Sequence, residues 1–182
     1  MSERWELVPS PLGDLLLVGD RFAVTEVRFT QSPERPDQPG RAPAHPVAAD
    51  PDSRGFTEPT RAMADQLAEY FAGRRRQFDV PVRLRGTPFQ RAVWDALRRI
   101  PYGETWSYGQ VARLINHPRA YRAVGTANNR NPLVIVIPCH RVVSSRGVPV
   151  GFGGGLNRQE QLLHLETLST VPAEPGDSPP HF

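Results

Sequence analysis

The sequence predicts an α+β fold: a small N-terminal unit of sheet plus helix, followed by a mostly helical unit that contains a helix-turn-helix. Three observations predict it. Two short apolar runs near the N-terminus flank Gly19-Asp20-Arg21, which is hairpin punctuation. The second half carries two helix-opening signatures, at Thr87 and at Ser107. A chain of 182 residues that is 38% hydrophobic, with three Trp and eight Phe, can fill a core, which excludes disorder throughout and collagen-like repetition. The expected units are 1–80, with a Pro-rich insertion over 31–59, and 81–170, followed by a disordered tail over 171–182.

In chain order, Asp14–Val18 and Phe22–Phe29 read as the two hairpin strands. Residues 31–59 hold seven Pro and few large apolar side chains, so they read as loop or partly disordered. From Pro59 to Ala72, Met63, Leu67, Tyr70 and Phe71 recur at helical spacing, and Gly73 is placed to end that helix. This unit shows no cluster of nucleophile, base or ligand residues and reads as structural.

Thr87 with Pro88 and Gln90 supplies an N-cap, a Pro at the first helical position and a capping box. The helix that follows places Phe89, Val93, Ala96, Leu97 and Ile100 on one face before Pro101-Tyr102-Gly103 turns the chain. Ser107 and Gln110 repeat the box and open a short helix, which Asn116-His117-Pro118 breaks. Pro118 then suits the first position of another helix, running to about Asn128, which completes a helix-turn-helix. Ala120, Val124 and Ala127 give this helix a narrow packing face, Arg119, Arg122 and Thr126 lie elsewhere, and its small residues permit close backbone approach to a partner. Leu133–Ile137 is a β-branched run that reads as a buried strand delivering Cys139 and His140. A last helix over about 158–168 sets Glu166 on the apolar stripe of Leu162 and Leu163, where a carboxylate needs a partner.

All 22 basic residues are Arg, and their distribution is uneven. Residues 83–164 hold 12 Arg against Asp95, Glu104 and Glu160, whereas residues 1–82 hold 10 Arg against 13 acids. A basic second half fits a polyanion partner or a solvated basic face. No run approaches a membrane span and the N-terminal residues are not a secretory signal, so a cytoplasmic protein is expected. The single Cys139 excludes internal disulfides and thiolate zinc clusters, and the scattered His45, His117, His164 and His181 make no metal site.

Cys139 is therefore either an inert buried residue or a nucleophile. A thiol near its ordinary pKa of about 8.5 is only a few per cent thiolate at neutral pH, so a neighbouring base and a carboxylate that orients it would make it competent. His140 and Glu166 are available for those tasks. Adjacent residues on an extended strand face opposite ways, so a bend after Pro138 or a bridging water is required.

Several segments carry a resemblance: Gly86–Gln90, Ile100–Thr105, Ser107–Gln110, Arg122–Gly125, Asn131-Pro132 and Ile137–Val142, with Ser10–Gly13 and Tyr70–Gly73 in the first half. In order and spacing they resemble the O6-alkylguanine-DNA alkyltransferases, the methylated-DNA–protein-cysteine methyltransferases. The resemblance implies a three-layer, ribonuclease H-like N-terminal unit ahead of a DNA-binding and catalytic unit. It implies irreversible, stoichiometric transfer of the alkyl group of O6-alkylguanine, and less well of O4-alkylthymine, to Cys139, without a cofactor. The implied partner is duplex DNA bound through the minor groove with little sequence specificity, by a monomer; cooperativity along DNA stays open.

By the same resemblance, His140 is a water-mediated base, Glu166 orients it, and Asn131 braces the turn between recognition helix and active site. Tyr108 meets guanine N3 and helps to rotate the nucleotide out, and Arg122 fills the gap left in the stack. Arg119, Thr126 and Val142 are further expected lesion or DNA contacts, and Phe152 and Gly153 belong to a pocket-closing loop. A base must leave the duplex before sulfur can reach its edge in line. Phe152 stands where many members have Tyr, Tyr121 where a small residue is common, and Trp106 is an uncommon neighbour for Ser107. Two other readings are a non-catalytic lesion sensor like the alkyltransferase-like proteins, which typically carry Trp in place of the cysteine, and a helix-turn-helix regulator with a redox cysteine.

Overall fold

The computed structural model describes residues 3–30 and 51–169. Most of the 31–59 insertion and the 171–182 tail lie outside the described residues. Three antiparallel strands, β1 (Arg4–Val8), β2 (Leu15–Gly19) and β3 (Val24–Phe29), form a sheet in that order. The hairpin is where the sequence puts it, but the turn is held by a side chain: Asp20 Oδ1 accepts from the amides of Phe22 and Ala23 at 2.8 and 3.0 Å. β1 escaped the sequence reading because it is an edge strand with both faces partly exposed, so its residues show no apolar alternation.

Helix α1 (Glu58–Phe71) covers the sheet through Met63, Leu67 and Tyr70. It opens on a Thr57/Thr60 capping box, so the last two residues of the expected insertion are already helical. It ends on Gly73 at φ 70°, with the Gly73 and Arg74 amides donating to the Tyr70 and Glu69 carbonyls. Both sheet edges are occupied. The Gly55 amide donates to Trp5 O outside β1, and the backbones of Pro81–Arg83 and Pro132–Val134 bond β3.

The second half is built from α2 (Pro88–Leu97), β4 (Trp106–Ser107), α3 (Tyr108–Leu114), α4 (Tyr121–Asn129), β5 (Val142–Val143) and α5 (Leu156–Leu168). Both expected capping boxes form, at Thr87/Gln90 and Ser107/Gln110. Trp94 joins the buried face of α2 and its indole donates to Ala127 O at 2.9 Å, tying α2 to α4. Trp106 finds its use as the backbone partner of Val142 in a two-residue parallel ladder.

Two expectations fail here. The helix expected from Pro118 starts at Tyr121, because His117–Ala120 closes as a turn, with the Ala120 amide on His117 O, after Asn116 at φ 60°. Arg119 therefore lies in the turn and not on α4. The expected strand Leu133–Ile137 is buried but is a tight turn, with Ile135 at φ 71° and the Ile137 amide donating to Leu133 O. An unbroken apolar run reports burial, and here a side chain dictates the conformation: Asn131 accepts from the Leu133 amide at 3.0 Å and donates to Ile137 O at 2.8 Å. No helix among the described residues is long and apolar enough to cross a membrane.

Candidate active site

The Asn131 turn ends in Pro138, after which Cys139–Arg141 form one turn of 3-10 helix, with the Arg141 amide on Pro138 O. This turn supplies the bend that an extended strand could not. It holds Cys139 and His140 in the interior, 2% and 0% exposed. α5 anchors it from below. Gln159 and Glu166, seven residues apart and both fully buried, lie on one face of that helix. The Gln159 amide donates to His140 O and Val142 O at 3.1 and 2.9 Å.

Glu166 is met by five donors. Its Oε1 accepts from Tyr70 Oη (2.7 Å), His140 Nε2 (2.8 Å) and Arg141 Nη2 (2.9 Å), and its Oε2 accepts from Arg141 Nε (2.8 Å) and the Gly103 amide (3.1 Å). Burial alone would raise its pKa, but the bonds from His140 and Arg141 outweigh burial and hold it well below the usual carboxylate range. It is a permanent anion at working pH. Burial holds the His140 pKa below its ordinary value against the pull of Glu166, so the ring is neutral. Since Glu166 can only accept, Nε2 carries the ring proton and Nδ1 keeps its lone pair. Nδ1 is buried and has no hydrogen-bond partner among the described residues, which leaves it free to take a proton.

Burial pushes the Cys139 thiol up to about 11, although the Asn131 amide, 3.0 Å from Sγ, pulls in the other direction. At neutral pH only roughly one molecule in 10⁴ would hold the thiolate unaided, so reaction of this sulfur requires a base. Burial, and then the proximity of a charged Cys139, raise the pKa of Tyr108, whose hydroxyl donates to Val150 O at 2.7 Å. Gly125 of α4 faces the Tyr108 ring, leaving room there for no more than a small side chain.

The structure thus joins Cys139 to Asn131 and His140 to Glu166, with Tyr108 close to Cys139, and no hydrogen bond links the thiol to the His140 ring. Phe152 is buried, and Gly153 passes so near Asn129 O that a Cβ would come within 3.1 Å of it. Val142 is wholly buried behind the turn. Arg122, Thr126 and Arg119 are exposed on the outer side of the α4 region, with the Arg122 guanidinium 5.8 Å from the Tyr121 ring and the Thr126 hydroxyl on Arg122 O. Sequence reasoning missed Arg141 and Tyr70. Arg141 could have been found as the nearest cation able to meet a buried Glu166, whereas nothing in the sequence marks Tyr70 as anything but core. No group of three or more metal-ligating side chains occurs among the described residues.

Two family profiles match the chain. The DNA binding domain of 6-O-methylguanine DNA methyltransferase matches residues 88–168, and the ribonuclease-like domain of the same family matches residues 4–84. The methylated-DNA–protein-cysteine methyltransferase of Mycolicibacterium paratuberculosis is 46% identical over 165 residues, covering 89% of this chain and 91% of that protein. Its counterpart in Methanosarcina acetivorans is 41% identical over 162 residues, covering 89% and 97%. Among solved structures, Mycobacterium tuberculosis OGT in complex with DNA superposes with a TM-score of 0.75 at 41% identity, covering 91% of this chain and 94% of that one. With relatives aligned over nearly the full length of both partners and a lone buried cysteine beside a histidine–carboxylate pair, the chain belongs to the methylated-DNA–protein-cysteine methyltransferase family.

Proposed function

We propose that this protein repairs O6-alkylguanine in duplex DNA, and O4-alkylthymine less well, by moving the alkyl group to Cys139, each molecule acting once. The observation that carries the assignment is the position of Cys139 on a 3-10 turn beside a neutral histidine whose far nitrogen is held by Glu166. In the reaction the thiol proton passes through a water to His140 Nδ1 as sulfur attacks the alkyl carbon. The C–S bond forms, the C–O bond breaks with its electron pair left on the guanine, and the guanine anion takes up a proton at N1 from solvent while His140 releases the one it took. Asn131, already bonded to Sγ, steadies the developing thiolate and keeps the turn aligned with α4.

Tyr108 exchanges its bond to Val150 O for the guanine N3, coupling entry of the base to the loop that bears Phe152 and Gly153. α4 enters the minor groove, with Arg122 replacing the stacking of the base it displaces and Arg119, Thr126 and the adjoining backbone on phosphates or bases. Val142 acts from behind, as a wall that fixes the catalytic turn. Residues 1–80 form the supporting unit and 81–170 the DNA-binding and catalytic unit of a cytoplasmic monomer.

Incubation with a duplex carrying methyl-labelled O6-methylguanine is expected to place one label on Cys139, while Cys139→Ala binds the same duplex without acquiring label. Unlabelled wild-type protein after prolonged exposure to excess duplex would overturn the reading.

A further inference from the structure

The Glu166 oxygen that holds His140 is shared with a group from the other half of the chain. Tyr70, near the end of α1, donates its hydroxyl proton to Oε1 at 2.7 Å, on the atom that accepts from His140 Nε2 at 2.8 Å. The phenol is wholly buried. Its ring stands edge-on to Tyr102 at 6.1 Å and tilted to Phe78 at 5.8 Å, and the Gly73 cap that ends α1 bonds the Tyr70 carbonyl. Burial and then the Glu166 charge push the Tyr70 pKa far up, so the hydroxyl remains a donor at every working pH.

We propose that Tyr70 is a positioning residue for alkyl transfer: its hydroxyl bond to Glu166 Oε1 limits how strongly that carboxylate draws on the His140 ring proton, and so sets the basicity of Nδ1. A carboxylate oxygen stabilised by one more donor offers less to each of the others. Without the hydroxyl, Oε1 favours a positively charged His140 more strongly, and the imidazole holds a proton to higher pH. The other charged or titratable groups around the pair do not replace it. Arg141 is already engaged with both oxygens and opposes a second cation; Tyr102 contributes its ring to Tyr70 and the Arg141 guanidinium; Cys139 and Tyr108 lie on the thiol side. Tyr70 exchanges no atom in the reaction. The proton still travels from sulfur to Nδ1, and the N-terminal unit tunes that transfer from the far side of the ring.

The inference rests on His140 being the base, and the test separates the two. Single-turnover transfer from an O6-methylguanine duplex is measured with the full chain from pH 5 to 9. The parent shows an acid limb where His140 takes up a proton. In Tyr70→Phe the limb moves up by about half a unit to one unit, so that rates on the limb fall by about 3- to 10-fold while the plateau stays within about 3-fold. Replacing Tyr70 with 3-fluorotyrosine, a stronger donor that keeps the shape, moves the limb down. Phe78→Leu, which loosens the same aromatic cluster without touching Glu166, lowers the thermal midpoint and leaves the limb where it was. A limb in Tyr70→Phe that coincides with the parent's, or a fluorotyrosine limb that moves upward, overturns the inference while His140 stays the base. A parent profile with no acid limb removes both.

Discussion

At the scale of single residues, the reaction and its access use different kinds of position. The groups proposed to react are buried, with Cys139 bonded to Asn131 and His140 to Glu166, whereas the Arg122 side chain is exposed beside the Tyr121 ring. If its task is to hold open the stack, Arg122→Ala lowers transfer from a duplex by about tenfold or more, equivalent to ~1.4 kcal/mol, and leaves transfer from free O6-methylguanine base unchanged. Equal losses on both substrates, measured as single-turnover rates, would assign the arginine to the chemistry instead. The residues of the proposed site were legible in the sequence because each breaks a local rule: a lone cysteine followed by a histidine, and a carboxylate on an apolar stripe. Tyr70 breaks none, since a tyrosine on a core stripe is ordinary, and only the placement of α1 against α5 gives its hydroxyl a role.

At the scale of elements, the helices with side-chain caps were readable, because a capping box is a local bargain between residues three apart. α4 has no side-chain cap bond at Ala120, and its start was misplaced accordingly. The 133–137 turn was unreadable for a different reason. Its shape is imposed by Asn131, and its apolar run would look the same in a strand. α4 is tied to α2 by Trp94, whose indole bonds Ala127 O while Gly86 lies flush against its ring. Trp94→Phe removes the indole bond, leaving that carbonyl with the Arg130 amide alone, and makes the ring smaller, a loss of about 2 kcal/mol. A fall in the thermal midpoint of about 4–8 °C is expected. An unchanged midpoint would show that α2 and α4 do not depend on the indole.

At the scale of the whole molecule, the two halves share one sheet, one core and one buried ionic cluster. The backbone of Pro132–Val134, which leads into the Cys139 turn, lies along β3, and Glu166 takes donors from both halves. Stability inherits the titration of that cluster. His140 is kept neutral by burial, so its contribution is complete above its ordinary pKa of about 6.5 and erodes as pH falls below it, where the unfolded chain gains a proton the folded one resists. Asp20, lowered to about 2 chiefly by its bond from Arg83, and Glu166 contribute above about pH 4, and those contributions are lost as pH falls toward their folded values. The thermal midpoint is therefore expected to be level between about pH 7 and 8. It declines above about 8.5, as the unfolded chain releases the Cys139 and then the Tyr70 proton that the folded one keeps. On the acid side it declines between about 6.5 and 5 and falls again below about 4. A midpoint constant from pH 7 to 5 would contradict a neutral buried imidazole.

The one sulfhydryl of the chain has a consequence for measurement. Because Cys139 is both the sole thiol and the acceptor, unfolding the protein and titrating its sulfhydryl reads the unspent fraction of any preparation directly, with no background to subtract. A population of these molecules would keep its own tally of the lesions it has met.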